Sequence, residues 1–118
     1  MEASQPDRDS LFFISELRVL TDPVRLALIW RVANQDSSRG GGYRRVAEMA
    51  EEVGVSPALA SYHLLAAKKA GIVRSPARGK FSMTPVGQWW LQALKSRHLF
   101  QDEIDEARRK NLELLGLS

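Results

Sequence analysis

Eight basic residues, Arg39, Arg44, Arg45, Lys68, Lys69, Arg74, Arg78 and Lys80, crowd into positions 39 to 80 against only Glu48, Glu51 and Glu52. That is a local charge of +5 in a 118-residue chain whose total is +3. The chemistry open to such a group is phosphate binding, in which each contact with a polyanion releases condensed counterions. The bland alternative is a solvated charged surface, because charge-rich helices and turns are ordinary in globular proteins. The choice turns on whether the chain gathers these side chains on one face.

Other chemistry finds little support. There is no cysteine, so neither a disulfide framework nor a thiolate metal site is expected. His98 precedes Asp102 by four residues and could offer two ligands on one helix face, but a zinc site wants more imidazoles, and no metal or other cofactor is expected. No nucleophile stands in a recognisable arrangement with a histidine and an orienting carboxylate. Glu51 and Glu52 are neighbours on a helix turn, not facing carboxylates, and the chain is not expected to be an enzyme. Gly40, Gly41 and Gly42 lack the strand-then-helix context of a phosphate-binding loop, so residues 35 to 42 read as a spacer.

The elements around the cations are legible. Val46, Met49, Ala50 and Val53 recur at helical spacing in a helix beginning near Tyr43, and Gly54 suits its left-handed C-cap. Ser56 can accept the free N–H groups of a second helix and Pro57 fits its first position. That helix runs to about Ala70, with Lys68 and Lys69 at the negative end of its dipole and Gly71 as a stop. Ala60, Leu64 and Ala67 are its inner side; Ala58, Leu59, Ser61, Tyr62, Leu65 and Lys69 face outward, and His63 is open to two readings of comparable weight, reaching a phosphate or a base edge, or capping or packing locally. Ile72 to Arg74 and Lys80 to Met83 read as two short strands around Pro76 to Gly79. Helix, tight turn, helix and basic hairpin, in that order, are the layout of a winged helix-turn-helix, which sets its second helix in the major groove of duplex DNA.

Several runs carry a family resemblance: Leu20-Thr21-Asp22-Pro23-Val24-Arg25-Leu26, Val46-Ala47-Glu48-Met49-Ala50, Val55-Ser56 through Ser61-Tyr62-His63-Leu64, and Ala70-Gly71-Ile72-Val73. Over roughly residues 15 to 95 the chain resembles the ArsR family of bacterial and archaeal winged-helix repressors. Thr84-Pro85-Val86-Gly87 is also similar to the MarR and PadR groups. The resemblance implies a homodimeric, DNA-binding transcriptional regulator. Ser61, His63 and Leu64 match the family's Ser-x-His-Leu segment, with Tyr62 at the variable position. Leu59 and Leu65 depart from it, standing where the family commonly has a polar group and a Lys or Arg.

The remaining chain reads as scaffold. Leu11, Phe12, Phe13, Ile14, Leu17 and Leu20 make a helix over 10 to 20 apolar on more than one side, so part of it is expected to pack on a second subunit. Asp22-Pro23 caps a helix whose stripe is Leu26, Ile29, Trp30 and Ala33. Thr84-Pro85 opens the C-terminal helices of 85 to 116, which carry Trp89, Trp90, Ile104, Leu112 and Leu115. Adjacent tryptophans point about 100° apart, so one of them suits an interface or a pocket for a small apolar effector, unless both are simply structural.

The reading is therefore one mainly α domain over 1 to 118 with a small β-wing, its terminal helices forming a dimer interface from Leu11, Phe12, Phe13, Leu17, Trp89, Trp90, Ile104, Leu112 and Leu115. The expected DNA-binding set, over 43 to 83, is Arg44, Arg45, Ser56, Pro57, Leu59, Ser61, Tyr62, His63, Lys68, Lys69, Arg74, Arg78 and Lys80. The expected function is a sequence-specific double-stranded DNA-binding regulator, a homodimeric repressor without a cysteine metal site. The alternative is a protein-interaction module in which Leu59, Tyr62 and Leu65 bind a partner. Residues 1 to 10 lack the apolar core of a signal peptide and no apolar run is of membrane-spanning length, so a cytoplasmic protein is expected.

Overall fold

Four helices begin on a side chain that accepts the orphan amides of a first turn. The computed structural model describes residues 7–34 and 43–117. In it Asp7 caps α1 (Arg8–Leu20) through the Ser10 amide at 2.7 Å, and Asp22 caps α2 (Pro23–Ala33) through the Arg25 amide at 3.0 Å. Those amide bonds, the largest cause in each case, hold both carboxyls below the ordinary aspartate range. Ser56 caps α4 (Pro57–Lys69) through the Leu59 amide at 3.1 Å, and Thr84 caps α5 (Pro85–Lys95) through the Gly87 amide at 3.0 Å. Proline occupies the first position in α2, α4 and α5, where a missing N–H costs no bond. The spacer expected over 35 to 42 lies outside the described residues.

Between α2 and α4 lies α3 (Val46–Val53), which buries Met49 and Ala50. It ends at Gly54, whose φ of 83° lets the Gly54 and Val55 amides both reach the Ala50 carbonyl. The expected helix from Tyr43 needs correction. Arg44 and Arg45 form a strand, β1 (Arg44–Arg45), and the helix starts only at Val46. The wing supplies the reason: β1 pairs antiparallel with β3 (Lys80–Met83), Arg44 opposite Phe81, and the Val46 amide donates to the Gly79 carbonyl at 2.9 Å. On its other edge β3 pairs with β2 (Val73–Ala77), giving the order β1-β3-β2. The hairpin turn is thus tighter than expected, at Arg78-Gly79, with an irregularity between Arg74 and Ala77 where the Ser75 hydroxyl reaches the Ala77 and Lys80 carbonyls.

Leu28, Ile29, Val32, Met49, Leu64, Ile72 and Val73 are the largest fully buried side chains. The α2 stripe is therefore turned about one residue from expectation: Ile29 is inside, but Leu28 and Val32 join it while Leu26, Trp30 and Ala33 are only half-buried. Arg25 and Arg31 are the only charges in this helix, so its apolar residues surround most of the axis and periodicity alone sets no phase. Packing against α3, α4 and β3 sets it.

By its contacts the chain divides into two compact units, residues 1 to 88 and 89 to 118. The second holds the rest of α5, a 3-10 turn over Ser96–Phe100, and α6 (Gln101–Leu114). Along α6, Arg109 pairs with Glu106 at 2.5 Å and with Glu113, and Arg108 with Asp105 at 3.7 Å, at the three- and four-residue spacings that support an exposed helix.

Candidate nucleic-acid interface

Helix α4 presents two chemically distinct sides. Ala60, His63, Leu64 and Ala67 are buried, and the opposite stripe of Ala58, Tyr62, Leu65 and Lys69 is exposed, with Leu59 and Lys68 flanking it. Ser61 is half-buried at the margin, and Ser56 and Pro57 stand exposed at the N-terminus. The Ser56 hydroxyl is engaged as the cap.

Of its two readings, His63 takes the local-packing one. Its side lies within the fold, 6% exposed, and its Nδ1 accepts a hydrogen bond from Arg25 Nε at 3.2 Å. The ring joins α4 to α2. The Tyr62 ring, 64% exposed, stands edge-on to it at 5.3 Å.

The cations separate into two groups. Arg44 is held: its guanidinium bonds Glu52 of α3 at 2.6 Å and reaches the Arg31 and Asn34 carbonyls at 3.2 and 3.3 Å. It thereby closes the C-terminus of α2, where orphan carbonyls and the negative end of the dipole want a cation. Lys80 is held too, its Nζ 3.2 Å from the Tyr43 hydroxyl and 4.6 Å from that ring's centre. Arg45, Lys68, Lys69, Arg74 and Arg78 are exposed and make no ion pair or side-chain hydrogen bond among the described residues. Arg78 adjoins Gly79, whose φ of 74° forms the wing tip. Sequence reasoning missed Arg25, Glu52 and Tyr43 as the partners that hold His63, Arg44 and Lys80. Opposite charge offers a weak signal for the Arg44–Glu52 pair eight residues apart; nothing local signals the other two, 38 and 37 residues apart.

Of the expected dimer residues, Leu11, Phe12, Phe13 and Leu17 are exposed along α1 in the first unit. In the second unit Trp89, Leu112 and Leu115 are exposed and Ile104 is half-buried, but Trp90 is buried at 6%. The paired tryptophans, edge-on at 5.2 Å, thus differ in role as their angular offset requires. His98 Nδ1 lies 2.8 Å from the Lys95 carbonyl. Among the described residues no three His, Cys, Asp or Glu side chains gather as metal ligands, and no helix is long and apolar enough to cross a membrane.

A helix, a three-residue turn, a second helix with an exposed stripe and an adjoining antiparallel wing define a winged helix-turn-helix. No protein-family model matches the chain, and no curated protein matches it. Solved structures do. It is similar to NolR from Sinorhizobium fredii, with a TM-score of 0.63 at 17% identity, covering 82% of this chain and 95% of that one. It is similar to the homodimeric winged helix-turn-helix DNA-binding domain of Mb0332 from Mycobacterium bovis, a possible ArsR-family transcriptional regulator, with a TM-score of 0.60 at 22% identity over 85% of this chain and 95% of that one. A possible transcriptional regulator for arsenical resistance matches at a TM-score of 0.54 and 26% identity, over 81% of this chain and 95% of that one. The fold is the winged helix-turn-helix that these structures share.

Proposed function

We propose that this protein is a transcriptional regulator that binds double-stranded DNA as a homodimer and represses by occupying its operator in the cytoplasm. The observation carrying the reading is the exposed α4 stripe in the company of five cations, Arg45, Lys68, Lys69, Arg74 and Arg78, with no protein partner among the described residues. Structural similarity to a homodimeric DNA-binding domain supports it. In this reading α4 enters the major groove, Arg78 and Arg74 on the wing hold the backbone or minor groove, and two copies address half-sites about one helical turn apart. The apolar α1 face of Leu11, Phe12, Phe13 and Leu17 serves the second copy.

Titrating a random duplex pool at two salt concentrations tests the reading. Binding that weakens steeply with salt is expected; absence of binding, or binding indifferent to salt, rules it out.

One observation favours a second reading. Leu59, Tyr62 and Leu65 are 42%, 64% and 51% exposed on the same helix, an apolar patch suited to a protein partner. A Leu65→Glu variant that loses a protein partner in a pull-down yet keeps DNA affinity supports this reading against the first.

A further inference from the structure

The outward face of α4 in its first turns is poor in hydrogen-bond donors. Recognition helices of this class touch base edges mainly with their N-terminal residues. Here the first two turns carry Ala58, Leu59 and Tyr62 and the third turn continues the same outward side with Leu65, all exposed, while Ser61 is half-buried and His63 is turned inward to Arg25. The only cations on the helix, Lys68 and Lys69, come at its C-terminal end.

Bidentate recognition of guanine needs Arg or Lys, and of adenine Asn or Gln; none stands at the reading positions. Tyr62 offers a single hydroxyl. Branched apolar side chains have one favourable target in the major groove, the 5-methyl group of thymine, and this is the feature by which an A·T pair differs apolarly from an unmethylated G·C pair.

We infer that α4 reads thymine methyl groups, with Leu59 and Leu65 as the specificity-determining residues, so that the preferred half-sites place thymines under this helix. The inference rests on the DNA-binding reading proposed above. Placing Leu59 or Leu65 against a cytosine or guanine edge strips water from polar groups without replacing their hydrogen bonds, which disfavours those bases as well. Phosphate contacts by Arg45, Lys69, Arg74 and Arg78 supply affinity common to all sequences and leave discrimination to the methyl contacts.

The test uses the full chain. Bound duplexes are selected from a random pool, and the best is resynthesised with deoxyuridine for each thymine of the α4-facing steps, which removes only the 5-methyl group. Each methyl lost is expected to weaken binding about fourfold, the value of one buried apolar carbon, with the dependence on salt unchanged. Replacing cytosine by 5-methylcytosine at a non-preferred position is expected to restore part of the affinity. Leu65→Ala is expected to shrink the thymine-to-uracil ratio. Equal binding of thymine and uracil duplexes, or a selected half-site read through guanines, overturns the inference and leaves the DNA-binding reading standing. Failure of every duplex to bind overturns both.

Discussion

Arg25 Nε donates to His63 Nδ1 at 3.2 Å, tying the first turn of α2 to the middle of α4 across 38 residues of chain. The guanidinium fixes which imidazole nitrogen is the acceptor, and with it the orientation of the ring. The bond also turns His63 away from solvent, which leaves Tyr62 and Leu65 as the large side chains on the outer face of the helix. The seating of the outer stripe thus depends on a polar contact on the opposite side.

His63→Ala removes a buried ring and leaves the half-buried Arg25 donor without its acceptor. A loss of about 2 to 3 kcal/mol is expected, read as a fall in thermal midpoint of roughly 10 °C. Measured well below that midpoint, the salt dependence of DNA binding is expected to be unchanged, because the ring does not meet phosphate. A shallower salt slope with unaltered stability contradicts the buried role.

Arg78 and Arg44 are expected to behave oppositely although both are basic residues near the wing. Arg78→Ala lowers DNA affinity for all sequences and reduces the slope of log affinity against log salt by about one, with the thermal midpoint unmoved. Arg44→Ala instead uncouples Glu52 and the carbonyls ending α2. It is expected to cost about 1 to 2 kcal/mol of stability and to leave the slope intact. Paired calorimetry and salt titrations separate the two outcomes.

Gly87 lies where α5 passes the chain leaving α4. A Cβ built there would stand 2.0 Å from the Ile72 carbonyl oxygen and 2.8 Å from the Met83 side chain. The methionine can move; the carbonyl, shared with the Thr84 amide and hydroxyl, is fixed. Gly87→Ala is expected to destabilise by about 3 kcal/mol or more, against the gain such a change usually brings in a helix interior. Denaturant unfolding measures it, and a neutral or stabilising result contradicts the close approach.

The α1 face offers a direct check of self-association. Phe12→Glu with Leu17→Glu sets charge on the exposed apolar side of that helix. The dissociation constant of the proposed homodimer is expected to rise at least about tenfold, with half-site DNA binding losing its cooperativity. Sedimentation showing an unchanged dimer assigns the interface elsewhere.

Features carried by local chemistry were legible in the sequence. Gly54, Ser56, Pro57 and Gly71 each act within a few residues of themselves, so the bounds of α4 followed from side-chain type alone. Asp22-Pro23 and Thr84-Pro85 behave the same way. What escaped depends on distance along the chain. A two-residue β1 has no periodicity, and its partner strand lies more than thirty residues on. The phase of α2 was hidden by apolar residues on nearly every side. In α4, a run of Ala, Leu and Ser gives little amphipathic contrast, so the inward turn of His63 became visible only with Arg25 beside it.

Asp22 supplies the expected pH dependence. Its carboxylate accepts the Arg25 amide at the start of α2, and this bond is the largest cause lowering its folded pKa. A depressed folded value means that the unfolded chain binds the proton more readily. The stabilisation is therefore complete above the unfolded aspartate value of about 3.9 and is lost as pH falls through the lower folded value. Asp7 at the head of α1 acts in the same direction through the Ser10 amide. Asp22→Asn keeps a cap acceptor without the charge. The variant is expected to show a shallower decline of thermal midpoint between about pH 5 and pH 2, and a midpoint near neutrality only slightly below that of the parent. An acid limb identical in parent and variant would remove Asp22 from the acid transition and leave other carboxylates to account for it.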